Sequence, residues 1–306
     1  MKNRNLNDNI LISISCLTYN HSRFLTKCLE GFISQITSFK FEIIIHDDAS
    51  TDGTKEIIEQ YQSKFPDVIF PQYQIENQYS KGVRVFMPKY NFPRCRGKYI
   101  ALCEGDDYWT DPYKLQKQVD FLEANSEYSL VFHKTKALQK GQLVEDNVIE
   151  NRFDKVLDKS NILTTDLLRI GNFIHTCSVV FRRDKLLIPK EMNFSPVGDY
   201  ILFISLSQQG KIKRLEEEMA VYRKGSGSYS SLSPIDMQRK IIQYHLCILS
   251  MLTNEEERIV FLDKTLNEIK NFEKQIISVD NLALKKTMLD IIKTIIKKAT
   301  RIFKLN

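Results

Sequence analysis

The chain has 306 residues, 42% of them apolar and 27% charged, a globular composition long enough for one large domain or two modest ones. Its net charge of +6 comes from residues 285–304, where seven Lys/Arg face one acid, Asp290, while 37 basic residues elsewhere balance 37 acidic ones. A neutral body argues against a nucleic-acid partner, the polar start "MKNRNLNDN" against a signal peptide, and the lack of an apolar run of about 20 residues against a transmembrane helix. Six scattered cysteines without a Cys-x-x-Cys pair are read as reduced thiols of a cytoplasmic protein, and no His/Cys spacing suits zinc.

In chain order, "ILISISCL" (10–17) predicts a buried strand. Leu25, Cys28, Leu29, Phe32 and Ile33 recur at helical spacing after it, with Ser22 as a cap. "FEIIIHDD" (41–48) predicts a second strand, and a turn and helix follow in "STDGTKEIIEQYQSKF". "DVIFPQY" is a shorter third strand, and "KYIALCEGDD" a fourth that runs into acids. A helix with Asp111 as cap and Pro112 at its first position follows, with Leu115, Val119 and Leu122 inward. Residues 138–160 are polar and read as an excursion or loop. A helix capped by Thr164 or Thr165, a strand in "HTCSVVFRR", a helix from Asp199 to Gly210 and strand character ending at "AVYR" complete the body. From Ile235 the pattern is helical. The expected domains are 8–232 and a helical extension, 233–306.

Alternating strands and helices predict an α/β fold with a mostly parallel sheet flanked by helices. Ligands of such sheets bind beyond the carboxyl ends of the strands. "TYNHS", "DDASTDG" and "EGDDYW" each follow a predicted strand, so all three should line one crevice. Glu104, Asp106 and Asp107 repel one another and ask for a counter-charge. A hard divalent cation, Mg²⁺ or Mn²⁺, supplies it through oxygen ligands. A solvated acidic loop, with Asp107 capping the next turn, is the alternative. Tyr108 and Trp109 are placed either on a bound sugar or in the core. His46, His133 and His175 are read as satisfied structural residues, and Arg182–Arg183 as a phosphate or acceptor contact or a solvated strand end.

The segments "SCLTYNHSRFLTKCLEGFISQ", "FEIIIHDDASTDGT" and "GKYIALCEGDDYWTDPYKLQKQVDFLE" together resemble glycosyltransferase family 2, in the GT-A fold. "HTCSVVFRR" and "VGDYILFISLSQQGKIKRLEEEMAVYRKGSG" are similar to the rest of that domain, so the resemblance covers about residues 8–230. It implies an enzyme that moves a sugar from a nucleoside diphosphate sugar, a UDP-sugar first, to an acceptor hydroxyl with inversion and a divalent metal. The implied setting is cell-surface polysaccharide or lipopolysaccharide synthesis, with a glycan or lipid-linked acceptor. Thr18, Tyr19 and Asn20 match the segment lining the nucleotide pocket. Asp48, with Asp47 beside it, matches the acid that meets the base. Glu104 and Asp106 match the two ends of the Asp-x-Asp motif, the first toward ribose or metal and the second toward metal, with Asp107 adjoining. Asp199 matches the catalytic base.

Two positions depart from the pattern. Residue 104 is Glu where many members have Asp, and no histidine lies in the loop after "VYR", so Arg223 or Lys224 is expected to meet the diphosphate instead. A catalytically silent nucleotide-sugar-binding protein and a nucleotidyltransferase stay open, although "TYNHSRF" lacks the glycines of a phosphate loop. In residues 285–304, Met288, Ile291, Ile292, Ile295, Ile296, Ala299, Ile302 and Phe303 gather on one helical face and Lys286, Lys293, Lys297, Arg301 and Lys304 on the other. That pattern fits peripheral contact with an anionic membrane, or docking on the catalytic domain.

Overall fold

Ile12, Ser13, Ile14, Ser15 and Cys16 are all fully buried in strand β1 (Ile10–Thr18). A strand covered on both faces belongs at the centre of a parallel sheet. Its polar members need partners there. The Ser13 hydroxyl donates to Glu42 Oε1 at 2.7 Å, and Arg96 closes the network with Nε 2.9 Å from Glu42 Oε2. The Gly97 N–H donates to Ser13 Oγ, and a Cβ at Gly97 would lie 2.6 Å from the Ser13 nitrogen, so only glycine lets the chain pass.

The structure is a computed structural model that describes residues 9–225 and 233–277. After β1 come α1 (Ser22–Ile33), β2 (Lys40–Asp47), α2 (Thr54–Lys64), β3 (Ile69–Tyr73) and β4 (Tyr99–Leu102). β5 (Tyr108–Trp109), α3 (Lys114–Ala124), β6 (Tyr128–Gln139), β7 (Gln142–Glu145), α4 (Asn147–Phe153) and α5 (Thr164–Ile170) follow. β8 (Val180–Arg182), α6 (Gly198–Ser207), β9 (Lys211–Arg223), α7 (Pro234–Met251) and α8 (Glu255–Ile277) complete the series. The sheet order is β3-β2-β1-β4-β8-β6-β9-β5, with β7 on β6. The first four strands are parallel. β8 then pairs antiparallel with β4 and β6, β6 pairs parallel with β9, and β5 antiparallel with β9. The expected α/β sheet is present, parallel in one half and mixed in the other.

Leu25, Cys28, Leu29 and Phe32 of α1 and Leu115, Val119 and Leu122 of α3 pack on Ile12, Ile14, Ile43 and Ile45. Each such aliphatic or aromatic side chain contributes about 1.5–3 kcal/mol relative to exposure. Some local expectations need correction. α3 starts at Lys114; Asp111 instead accepts the Tyr113 N–H at 2.7 Å in a turn that precedes the helix. α5 has Leu163 as its N-cap, whose N–H is held by Asp166 Oδ2 at 3.1 Å. Residues 138–160 are no bare loop: they hold the end of β6, β7 and α4. β9 is a strand over its whole length because β6 pairs with it nearly end to end. Arg182 is 7% exposed and donates to the Tyr128 carbonyl at 2.8 Å and to the Leu122 and Asn125 carbonyls. It is therefore an internal cap, not a ligand contact.

The chain divides into two units. The first holds the sheet up to Ile188 and resumes at Phe203; the second holds Pro189–Leu202 and the helices after 232. In the second, Ser233 caps α7 with Pro234 at the first turn, and Ile242, Ile269, Phe272 and Ile276 form its core. The amphipathic pattern of 285–304 lies outside the described residues. Among the described residues, no helix is long and apolar enough to cross a membrane, and the six cysteines are buried free thiols.

Candidate active site

Because β2, β1 and β4 are parallel neighbours, the loops after them start at the same edge of the sheet. Side chains stitch these loops together. The Asn20 N–H donates to Ser50 Oγ at 2.8 Å, and Asn20 Oδ1 accepts from the Thr51 N–H at 2.8 Å. The His21 N–H donates to Thr54 Oγ1 at 2.9 Å and the Ser22 N–H to Asp52 Oδ2 at 3.0 Å. The acidic loop joins through its own backbone: the Gly105 N–H donates to the Leu17 carbonyl at 2.8 Å. A Cβ at Gly105 would fall 2.9 Å from Thr18 Oγ1 and 3.1 Å from His21 Nδ1, so glycine lets the acids approach β1. The three predicted clusters thus line one crevice.

Glu104, Asp106 and Asp107 each offer an oxygen, and these oxygens lie within 4.8 Å of one another. Asp106 is 8% exposed and Asp107 1%. Asp107 Oδ1 accepts the Arg223 N–H at 2.7 Å; its buried Oδ2 has no N–H or O–H partner among the described residues and lies beside the Cys177 thiol. Burial, then the Asp106 charge, pushes the Asp107 carboxyl well above its ordinary range. Asp107 does not cap the turn after it; it ties the acidic loop to the end of β9. Arg223 also donates from Nε to the Asp106 carbonyl at 2.8 Å, with its guanidinium 4.2 Å over the Phe24 ring.

Tyr19 is 44% exposed at the crevice. Asp47 binds the Ser50 N–H and hydroxyl, and burial raises its carboxyl above the usual value. Asp48 accepts the Gln78 N–H at 2.8 Å and the Tyr79 N–H at 3.0 Å, which anchors the chain after β3. Trp109 is in the core: its indole N–H donates to the Cys177 carbonyl at 2.8 Å, Phe32 packs at 4.6 Å and Lys114 Nζ sits 4.0 Å over the ring. At 4% exposure the ring offers no face to a sugar. Lys224 pairs with Asp146 at 2.9 Å, leaving Arg223 as the cation beside the acids. Asp199 belongs to the second unit, in the first turn of α6, where Oδ1 accepts the Tyr200 N–H at 2.8 Å.

Two residues near the acids escaped the sequence reading. His21 sits inside "TYNHS", with Nε2 4.0 Å from Asp106 Oδ2. Burial lowers its pKa, against the charges of Asp106, Asp52 and Asp47. Its signal was its place, one residue after Asn20. Tyr222 on β9 is the other: burial, then the charges of Asp107, Glu104 and Asp106, pushes its phenol up. Its ring stacks on His175 at 4.2 Å, whose nitrogens meet Thr135 Oγ1 at 2.7 Å and Asp146 Oδ2 at 3.3 Å. No local pattern marks that set. His175 is satisfied as expected, but His46 is not. Both its ring nitrogens are buried without a hydrogen bond, its ring stacks on Tyr90 at 4.3 Å, and burial drops its pKa to about 4.

The comparisons with known proteins agree with this geometry. An uncharacterized protein of Mycobacterium tuberculosis is 38% identical over 213 residues, which are 70% of this chain and 58% of that protein's length. The S. aureus TarS structure in complex with UDP-GlcNAc superposes with a TM-score of 0.64 at 17% identity, covering 90% of this chain and 77% of that one. The mannosyltransferase PcManGT of Pyrobaculum calidifontis, in complex with GDP-Man and Mn²⁺, gives a TM-score of 0.58 at 13% identity, covering 95% and 82%. Those two likenesses establish the GT-A fold. The family model for glycosyl transferase family 2 matches residues 13–186, from within β1 through all three loops of the crevice to just past β8, and the chain belongs to that family.

Proposed function

We propose that the chain is an inverting, divalent-metal-dependent glycosyltransferase. It takes a nucleoside diphosphate sugar, a UDP-sugar first, and an acceptor hydroxyl of a cell-surface polysaccharide or lipopolysaccharide on the cytoplasmic side. One observation carries this reading: three loops from three parallel strand ends converge on a cluster of three acids. Residues 8–232 form the proposed catalytic domain, and the basic stretch 285–306 the proposed contact with an anionic membrane.

The residues fit a cation. Three carboxylates within reach of one ion, one of them with a buried oxygen lacking an N–H or O–H partner, form an oxygen donor set suited to Mn²⁺ or Mg²⁺. Asp106 and Glu104 would hold it. When bound, the ion supplies Lewis-acid stabilisation of the departing diphosphate.

The chain's own groups do the rest. Tyr19 offers its exposed ring to the base, and Asp48 an acceptor for a base N–H. Asp47 fixes the turn at Ser50 that supports Asn20. Arg223 places positive charge beside the acids, where the departing phosphates collect negative charge. Asp199 removes the acceptor proton as its oxygen attacks the anomeric carbon, and attack opposite the leaving group inverts the centre.

A panel of UDP-, GDP-, CMP- and dTDP-sugars with Mn²⁺, read by thermal shift, tests the donor. A UDP-sugar should raise the melting temperature with the logarithm of its concentration above Kd. No stabilisation by any member would overturn the reading.

A further inference from the structure

The residue at the start of α1 has a side chain with no structural task. His21 is the N-cap of that helix, yet its side chain makes no capping hydrogen bond. The backbone does the holding, through the His21 N–H on Thr54 Oγ1. Nδ1 is buried without a hydrogen-bond partner among the described residues, on the side where Gly105 lacks a Cβ. The other nitrogen faces Asp106, with Nε2 4.0 Å from its Oδ2. That separation is too long for a hydrogen bond. It lies within the span of two ligand bonds of about 2.1 Å each to one ion.

We propose that His21 Nε2 is a nitrogen ligand of the divalent cation held by Glu104 and Asp106. The proposal rests on the metal-dependent reading of the crevice. It adds a donor from the loop after β1 to a set otherwise drawn from the loop after β4. An all-oxygen set suits Mg²⁺, Ca²⁺ and Mn²⁺ alike, whereas an imidazole shifts preference away from Mg²⁺ and Ca²⁺ toward Mn²⁺ and later first-row ions. His21 therefore tilts the site toward Mn²⁺ over Mg²⁺. It also ties cation binding to the end of β1 and the loop after it, which carry Thr18, Tyr19 and Asn20.

The test uses the full chain with ¹⁵N-labelled histidine, loaded with Mn²⁺ and UDP, and reads ¹⁵N hyperfine coupling by pulsed electron paramagnetic resonance. Wild type should show the coupling. His21→Gln should lose it while still binding Mn²⁺, about 10- to 100-fold more weakly, the scale set by losing a group that supports a metal site. Its preference for Mn²⁺ over Mg²⁺ should narrow as well. Bound Mn²⁺ without ¹⁵N coupling in wild type overturns the proposal and leaves the metal reading standing. Coupling that survives in His21→Gln belongs to another histidine and also overturns it. Mn²⁺ binding that is absent from wild type, or unchanged in Asp106→Asn, removes the metal reading and this proposal with it.

Discussion

The parallel strands β3, β2, β1 and β4 send their carboxyl ends to one edge, where exposed and charged groups gather. The mixed half, β8, β6, β9 and β5, is backed by a buried polar chain: Lys114 of α3 donates to Gln118, and Gln118 to the Ser178 carbonyl, beside Trp109. In the proposed function the first half presents chemistry to a ligand. The second fixes the position of what is presented, through the Trp109 contact to Cys177 and the Arg223 contacts to Asp106 and Asp107. Damage to the presenting groups should appear in turnover, and damage to the supporting groups in stability and its pH dependence.

The largest loss is expected from the second unit. Asp199→Asn should keep donor binding and lose about 10²–10⁴-fold in turnover, the worth of a positioned base. Steady-state kinetics with calorimetric donor binding would check it; lost binding with an unchanged saturated rate would make Asp199 a binding residue. Within the presenting half, Asp106→Ala should keep the fold and lose roughly 10²-fold or more in transfer. EDTA should do the same to the wild type, and full activity in EDTA with no metal carried over would overturn the metal-dependent reading.

The supporting half should respond differently. Burial drops the Lys114 amine to about 7, below its free value, with the cation–π contact to Trp109 at 4.0 Å. The folded state then sheds its proton before the unfolded state does. Between about pH 7 and 10.5 the unfolded chain binds more protons, so this group makes stability rise with pH across that window and is flat below it. Lys114→Met should flatten that rise, add of order 1 kcal/mol at pH 6 and leave transfer unchanged. Melting temperatures of both proteins across pH 6–10 would test it; identical slopes would exclude Lys114 as their source. The smallest effect belongs to Trp109→Phe. Losing the indole hydrogen bond and stranding the Cys177 carbonyl should cost about 1 kcal/mol, a fall of roughly 2–4 °C. A tenfold loss of transfer with an intact melting temperature would return Trp109 to the donor site.

The same division sets what could be read from sequence. β1 and β2 declare themselves in continuous apolar runs ending in polar turns, and parallel topology then forces their loops together. Lys134 and Lys136 pair with Glu145 and Glu218, contacts set by the pairing of β6 with β7 and β9 and invisible in a local window. For that reason 138–160 reads as loop although it holds a hairpin strand and a helix. Trp109 reads ambiguously because an aromatic after an acidic turn looks alike whether it faces a ligand or Phe32. His21 shows the converse: it lies in a legible motif, but only the missing Cβ of Gly105 and the carboxylate of Asp106 give its ring a purpose.

The hold of Gln78 and Tyr79 on Asp48 has a consequence for base recognition. A carboxylate offers roughly four acceptor positions, and the two backbone amides use one on each oxygen. The rotamer is thereby set before any nucleotide arrives. In the proposed role of Asp48, a base N–H would meet a stationary target, so little torsional freedom would remain to be lost on contact and discrimination between bases would become a matter of shape. Slackening the chain after β3, with Asp48 itself untouched, would blur the choice of nucleotide while leaving the metal site as it was.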